Sequence, residues 1–189
     1  VLDRVNVDTA IIINTKRLVT CKRGEFGPWA MEALRFLPSG AADPACSLNA
    51  LSAQGATVLV AGENFGCGSS REAAVWALAE HGFRVVVAPS FGDIFYSNCF
   101  ENAVLPIRLD ATTTAALMRC LEQEASIVVD LEHCTIARAD WVIPFEIDPF
   151  RREMLLSGRR MIDMLLERKD EADRCQAVVA RARPWLFSE

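Results

Sequence analysis

The chain has 189 residues, 51% of them hydrophobic and 24% charged, with 20 Lys+Arg against 25 Asp+Glu and a net charge of −5. At about 150 residues per domain this is one domain, or one domain with an appendage, apolar enough to exclude intrinsic disorder. No basic run exceeds two residues, and no uninterrupted apolar stretch approaches the roughly 20 residues of a membrane span, so neither nucleic acid nor a membrane is expected as a partner.

In chain order, Ala10-Ile11-Ile12-Ile13 follows the polar turn Asn6-Val7-Asp8-Thr9 and reads as a β-prone run. Lys, Arg, Gly and Pro interrupt every period over 14–40, with a helical fragment expected at 29–36, and 38–55 is turn-rich. Thr57-Val58-Leu59-Val60-Ala61 is a short apolar strand of the buried kind. A loop with Gly62, Gly66 and Gly68 follows. Ser69, with Glu72 three residues on, has a capping-box pattern and opens a helix that runs to His81 and stops at Gly82. Residues 84–88 form a second buried strand, and this strand–loop–helix–strand order predicts a βαβ-type unit with parallel strands.

A short helix over 90–98 leads to a third strand over 103–109. Residues 112–122 form a helix with Leu117, Met118 and Leu121 on one face. Two late strands are expected at 127–131 and 141–147. Pro149 starts a helix that Gly158 closes, and 159–183 holds two charged helical stretches. The expected architecture is α/β, with one open sheet and a helical C-terminal tail. Residues 1–158 form the domain, and 159–189 a helical extension packed on it. Trp185-Leu186-Phe187 is too apolar to stand exposed without cost and is expected to dock on this subunit or a neighbour.

Seven cysteines stand at 21, 46, 67, 99, 120, 134 and 175 without a Cys-x-x-Cys pair, and His81 and His133 are the two histidines. A self-contained metal site is therefore not expected, and reduced thiols in the cytoplasm are the plain reading. The opening Val1-Leu2-Asp3-Arg4 lacks the charged-then-apolar profile of a signal peptide.

Chemistry concentrates in Gly62-Glu63-Asn64-Phe65-Gly66-Cys67-Gly68-Ser69-Ser70-Arg71-Glu72. Glycines let a backbone approach a ligand, and a helix start turns free N–H groups and partial positive charge toward an anion. Arg71 adds a planar fork suited to a carboxylate or phosphate. A Walker loop needs Lys after its last Gly, a dinucleotide fingerprint needs a third Gly where Arg71 stands, and a Gly-x-Ser-x-Gly elbow is absent. Cys67 reads as a small residue filling a tight loop. From the residues alone two readings stand: an anion site that holds a carboxylate, and a structural glycine turn with a cap.

Several separated motifs occur in order: Asn6-Val7-Asp8-Thr9 with Ile12-Ile13; Asn64 through Glu72; Trp76-Ala77-Leu78; Gly82-Phe83-Arg84-Val85-Val86; Pro89-Ser90-Phe91-Gly92-Asp93-Ile94-Phe95-Tyr96-Ser97-Asn98; Leu105-Pro106-Ile107; and Ile147-Asp148-Pro149-Phe150-Arg151-Arg152. Over roughly 5–158 they resemble the small subunit of 3-isopropylmalate dehydratase, the swivelling domain of the aconitase superfamily. The resemblance implies a swivelling β/β/α domain with a mixed open sheet, like the fourth domain of aconitase. It implies a large-subunit partner that carries a [4Fe-4S] cluster on its own cysteines, one iron acting as Lewis acid on the leaving hydroxyl. The implied substrate is a small di- or tricarboxylic acid, which loses and regains water. Ser69 then matches the serine that removes the proton beside a carboxylate. Ser70 matches its neighbour, whose backbone and hydroxyl hold the substrate, Gly68 counts with it as substrate-binding, and Arg71 matches the carboxylate clamp. Arg23 lies where a basic residue holds a second carboxylate, with a solvated surface position as the alternative.

The sequence departs from the family pattern at three places. Ala10 replaces an Asp, Ala73-Ala74-Val75 replaces His-Ala-Pro, and Asn14 stands where Pro is common. Two further readings follow: a paralogue acting on another malate-type acid, and a non-catalytic assembly subunit. A nucleotide-binding domain, resting on the βαβ unit alone, ranks last.

Overall fold

The computed structural model describes residues 1–53, 55–122, 126–138 and 140–187. Position 54 of the turn-rich stretch and the last two residues of the 159–189 extension lie outside the described residues.

The first 53 residues hold four short helices, α1 (Thr9–Ile12), α2 (Thr15–Thr20), α3 (Glu32–Arg35) and α4 (Ser47–Ala53), with a 3-10 turn at Gly27–Trp29. Strand β1 (Val58–Val60), α5 (Glu72–His81), β2 (Val85–Ala88), α6 (Asp93–Glu101), β3 (Leu105–Arg108) and α7 (Ala111–Leu121) form the central alternating unit. Then come β4 (Val128–Asp130), β5 (Thr135–Arg138), β6 (Trp141–Pro144), α8 (Pro149–Ser157), α9 (Met161–Leu166) and α10 (Lys169–Ala182).

β1, β2 and β3 pair in that order, all parallel, with Val58 opposite Val85 and Val85 opposite Leu105. The predicted βαβ order is therefore present, twice over. Leu2 adds a parallel bridge to Ala61 at the sheet edge. Side chains alternate between two cores. Leu59, Ala61, Val86 and Ala88 face α5 and α6, whereas Val60, Val87, Leu105 and Ile107 face Leu117 and Met118 of α7 and the later strands. A parallel sheet covered on both faces explains why these strands read as continuous apolar runs.

The strands divide into two sheets instead of one. β4, β5 and β6 are antiparallel, with Ile136 opposite Ile143. Ile136 of β5 and Phe145, just after β6, share a buried cluster with Val60, Val87, Leu105 and Ile107 of the parallel sheet. The expected parallel and antiparallel strands are both there, as a sheet each. β5 is an unpredicted strand: Thr135-Ile136-Ala137-Arg138 buries only Ile136, too little for an alternation to register.

Two other expectations are corrected. The run Ala10-Ile11-Ile12-Ile13 is helical over its first part. Asp8 caps it by accepting from the Ile11 N–H at 2.8 Å, and Ile12 and Ile13 are fully buried against the α5 core. Capping and burial override β-propensity here. The tail, expected to pack on its own domain with its end docked there or on a neighbour, has no buried residue in α9 and α10, and Trp185 is 68% exposed. Elsewhere α5 stops at Gly82 in the left-handed region, and α8 runs from the Asp148 cap to Gly158 as expected. The 29–36 fragment is broken in two because Met31 adopts a φ of 53° between the 3-10 turn and α3.

Candidate functional site

The loop 62–71 joins β1 to α5 at the carboxyl edge of the parallel sheet, where open α/β folds place ligands. It has almost no regular structure, yet two distant segments pin it. On one side the N-terminal motif lies alongside it. The Gly66 N–H donates to Val7 O (2.7 Å), the Thr9 N–H to Cys67 O (3.0 Å) and the Thr9 hydroxyl to Ser69 O (2.8 Å). On the other side the turn after β2 grips it. The Phe65 N–H donates to Ser90 O (3.0 Å), the Gly92 N–H to Phe65 O (2.9 Å) and the Asn64 N–H to Ser90 Oγ (2.9 Å).

Phe65 is fully buried and meets Phe91 and Phe95 edge-on, at 6.4 and 5.5 Å between centroids. Gly66 has φ 72°, and a Cβ there would sit 2.2 Å from the Phe95 ring; a Cβ on Gly92 would lie 2.5 Å from Gly66 O. Both positions need glycine because backbone is pressed against backbone and ring. Three motifs far apart in the chain thus build one object.

That object presents Gly68, Ser69 and Ser70 to solvent, with Arg71 half-buried beside them. Arg71 donates one hydrogen bond, from Nη1 to Ile13 O at 3.3 Å, which orients the guanidinium and leaves the rest of its fork without a partner among the described residues. The helix begins later than the capping-box pattern predicts. Arg71 is the N-cap, with extended φ/ψ and no side-chain cap bond, so Ser69 and Ser70 precede α5. The reason is that Gly66 and Gly68 hold left-handed φ and the Ser69 carbonyl is taken by Thr9. The two hydroxyls therefore precede the helix mouth and have no hydrogen-bond partner among the described residues.

Arg23 is exposed and lies along α5 rather than in the loop. Its guanidinium stacks over the Trp76 ring at 4.9 Å and donates to Asn102 Oδ1 at 3.1 Å. Asn102 in turn donates to Glu72, the residue after Arg71, at 3.0 Å. Asn102 and Glu80 escaped sequence reasoning. Glu80 accepts from the backbone N–H groups of Gly24, Phe26 and Gly27 at 2.7, 2.6 and 3.1 Å. Little local marks either residue, since apart from the Asn98 carbonyl their side-chain partners lie 26 to 79 positions away. Of the departures from the family pattern, Ala10 is exposed, Ala73 is buried in the first turn of α5, and Asn14 caps α2 through the Lys16 N–H at 2.9 Å.

A cleft of about 740 Å³ opens at the carboxyl end of β3, lined by Tyr96, Arg108, Asp110, Phe145, Glu146 and Asp148 among others. None of the five sequence-predicted residues lines it. The candidate residues lie instead on the loop, where two exposed serines directly precede the half-buried Arg71. All seven cysteines are free thiols, and burial pushes the Cys99 thiol far up, out of reach of ionisation. Among the described residues no group of three His, Cys, Asp or Glu side chains could hold a metal ion, so these residues do not fit a cluster-binding set. No helix is long and apolar enough to cross a membrane among the described residues.

The Aconitase C-terminal domain family matches residues 3–112. The chain is 45% identical to a 3-isopropylmalate dehydratase small subunit of Rhodospirillum centenum, over 97% of this chain and 92% of that protein. It is 46% identical to the protein of that name from Halalkalibacterium halodurans, over 94% and 92%. Among solved structures, 3-isopropylmalate dehydratase from Methanocaldococcus jannaschii superposes with a TM-score of 0.60 at 28% identity, over 90% of this chain and 92% of that one. Motif order, pinned loop and likeness over nearly the full length agree: the chain belongs to the 3-isopropylmalate dehydratase small-subunit family, built on the aconitase C-terminal domain.

Proposed function

We propose that the chain is the small subunit of a [4Fe-4S]-dependent hydro-lyase that dehydrates and rehydrates a substituted malate such as 3-isopropylmalate, active only with a large subunit. The observation that carries this reading is the exposed Gly68-Ser69-Ser70 segment with a largely unpartnered Arg71 beside it, on a loop held from both sides. The cluster resides on the large subunit, a partner supported by the relatives' designation as small subunits. The cytoplasm is the proposed location.

On this chain, Arg71 pairs with a carboxylate of the diacid, a charge-assisted bond that fixes the carbon next to it. Ser69 takes the proton from that carbon, the electron pair of the C–H bond forms the double bond, and the hydroxyl leaves the neighbouring carbon toward the Lewis acid that the large subunit's cluster would supply. A serine is a poor base at its ordinary pKa, and the helix mouth together with Arg71 stabilises its ionised form. Ser70 and the Gly68 backbone hold the substrate, and Arg23 receives a second carboxylate. Rehydration runs the same proton back from Ser69.

The test is reconstitution with a cluster-bearing large subunit, following the absorbance of the conjugated product formed from 3-isopropylmalate. Ser69→Ala and Arg71→Ala are each expected to lower kcat/KM by about a hundredfold or more. Full activity in both variants overturns the reading. Ala10 and Ala73 favour a second one, a diverged paralogue or an assembly subunit without turnover. It expects the complex to form without turnover of 3-isopropylmalate, and activity to rise on restoring Asp at 10 and His at 73.

A further inference from the structure

Asn102 caps the carboxyl end of α6 and is half-buried, and its carboxamide is used to capacity. Oδ1 accepts from Arg23 Nη2 at 3.1 Å and from the Trp76 indole N–H at 2.9 Å. Nδ2 donates to Glu72 Oε1 at 3.0 Å and to the Asn98 carbonyl at 2.9 Å. The chemistry of the partners dictates the orientation of the amide. Guanidinium and indole only donate, while an ionised carboxylate and a carbonyl only accept, so oxygen and nitrogen cannot exchange places.

Glu72, Trp76 and Glu80 follow one another at intervals of four on α5, and so share a face. The segment carrying Arg23 runs along that face. Glu80 grips its backbone through three N–H bonds, Trp76 supplies a surface for its guanidinium, and Asn102 ties that guanidinium to Glu72. Arg71 immediately precedes Glu72. One helix therefore carries the contacts of both arginines, with Arg71 at its N-cap and the Arg23 guanidinium over Trp76, five residues on.

We propose that Asn102 is a positioning residue that holds Arg23 ready for the second carboxylate of the substrate, so that the spacing between Arg23 and Arg71 is set before the diacid arrives. This rests on the proposed hydro-lyase reading and deepens it. An arginine on an exposed loop otherwise loses rotamer freedom on binding, and that loss falls on affinity. Asn102 touches neither serine, so it acts on binding rather than on the proton step.

The experiment is a double-mutant cycle in the reconstituted complex with 3-isopropylmalate. Asn102→Ala is expected to raise KM about tenfold and leave kcat within about twofold, the size of one charge-assisted hydrogen bond. Arg23→Ala is expected to raise KM at least as much, and the double variant no further than Arg23→Ala alone. A merely structural role predicts instead that the two effects multiply. An unchanged KM in Asn102→Ala, a fall confined to kcat, or multiplicative effects with Arg23→Ala each overturn the proposal. Asn102→Leu keeps nearly the same side-chain size and removes the bonds to Arg23 and Trp76. It replaces alanine in the cycle if that variant does not fold, with the same KM-only rise expected. Ser69→Ala separates the two failures. Activity lost there with KM untouched in Asn102→Ala removes the positioning role and leaves the function standing; activity retained there removes both.

Discussion

The loop at 62–71 and the tail at 159–187 differ in opposite ways. The loop has no regular secondary structure, yet Phe65 and Gly66 are buried and its backbone is bonded to segments on either side. The tail is almost wholly helical, held by local pairs such as Arg160–Asp163 and Arg168–Glu171, and buries nothing. Pairs of this kind contribute about 0.3–0.5 kcal/mol each, enough to bias a helix and too little to place it. Regularity and fixity are therefore separate properties. The candidate site has the second, which the proposed base and clamp would need in order to stay in register while a ligand comes and goes.

The sharpest way to break this contrast is Gly66→Ala. Left-handed strain together with the collision against Phe95 is expected to cost about 3 kcal/mol or more, read from urea denaturation. Thr9→Val comes next. It keeps the shape of a 2%-exposed side chain and removes the bond to the Ser69 carbonyl, for an expected loss of about 1 kcal/mol by the same measurement.

Acidity should separate the regions too. Burial first, then the nearby Arg35 guanidinium, lower the His81 pKa below its ordinary 6.5. The folded state thus binds this proton less well than the unfolded chain. Its contribution to stability is complete above pH 6.5 and declines as the pH falls from there toward the folded pKa. In the tail, hydrogen bonds from Arg160 lower the Asp163 pKa, so that contribution persists above 3.8 and is lost only as the pH falls further, through the folded value. Melting temperatures between pH 7 and 5 should therefore fall, and His81→Asn should flatten the fall; an unchanged slope in that variant would count against this account. The smallest effect belongs to the tail. Trp185→Ser and Leu186→Ser in the isolated chain should each change stability by less than about 0.5 kcal/mol, because neither side chain is buried.

Much of the central fold was legible. Continuous apolar runs at 57–61 and 84–88, Gly82, Pro149 and Gly158 each carry their own physical instruction, and the elements formed where these indicate. The residues of the reactive loop were legible as a chemical set, since glycines, two serines and an arginine are contiguous. Other features were not. Nothing in Ala10-Ile11-Ile12-Ile13 announces the Asp8 cap and the α5 surface that make it helical. Asn102 and Glu80 gain their meaning from partners on other elements.

By itself, then, the amino-acid order determined the alternating strands and helices, the motif that names the family, and which groups are gathered at 68–71. Tertiary structure alone decided that the strands form two separate sheets, that Ser69 and Ser70 stand outside the helix, and that Arg23 lies against Trp76. The reason is one of range. Periodicity, caps and turn residues act within a few positions along the chain, whereas the orientation of a side chain depends on hydrogen-bond partners and buried surfaces that only folding brings together.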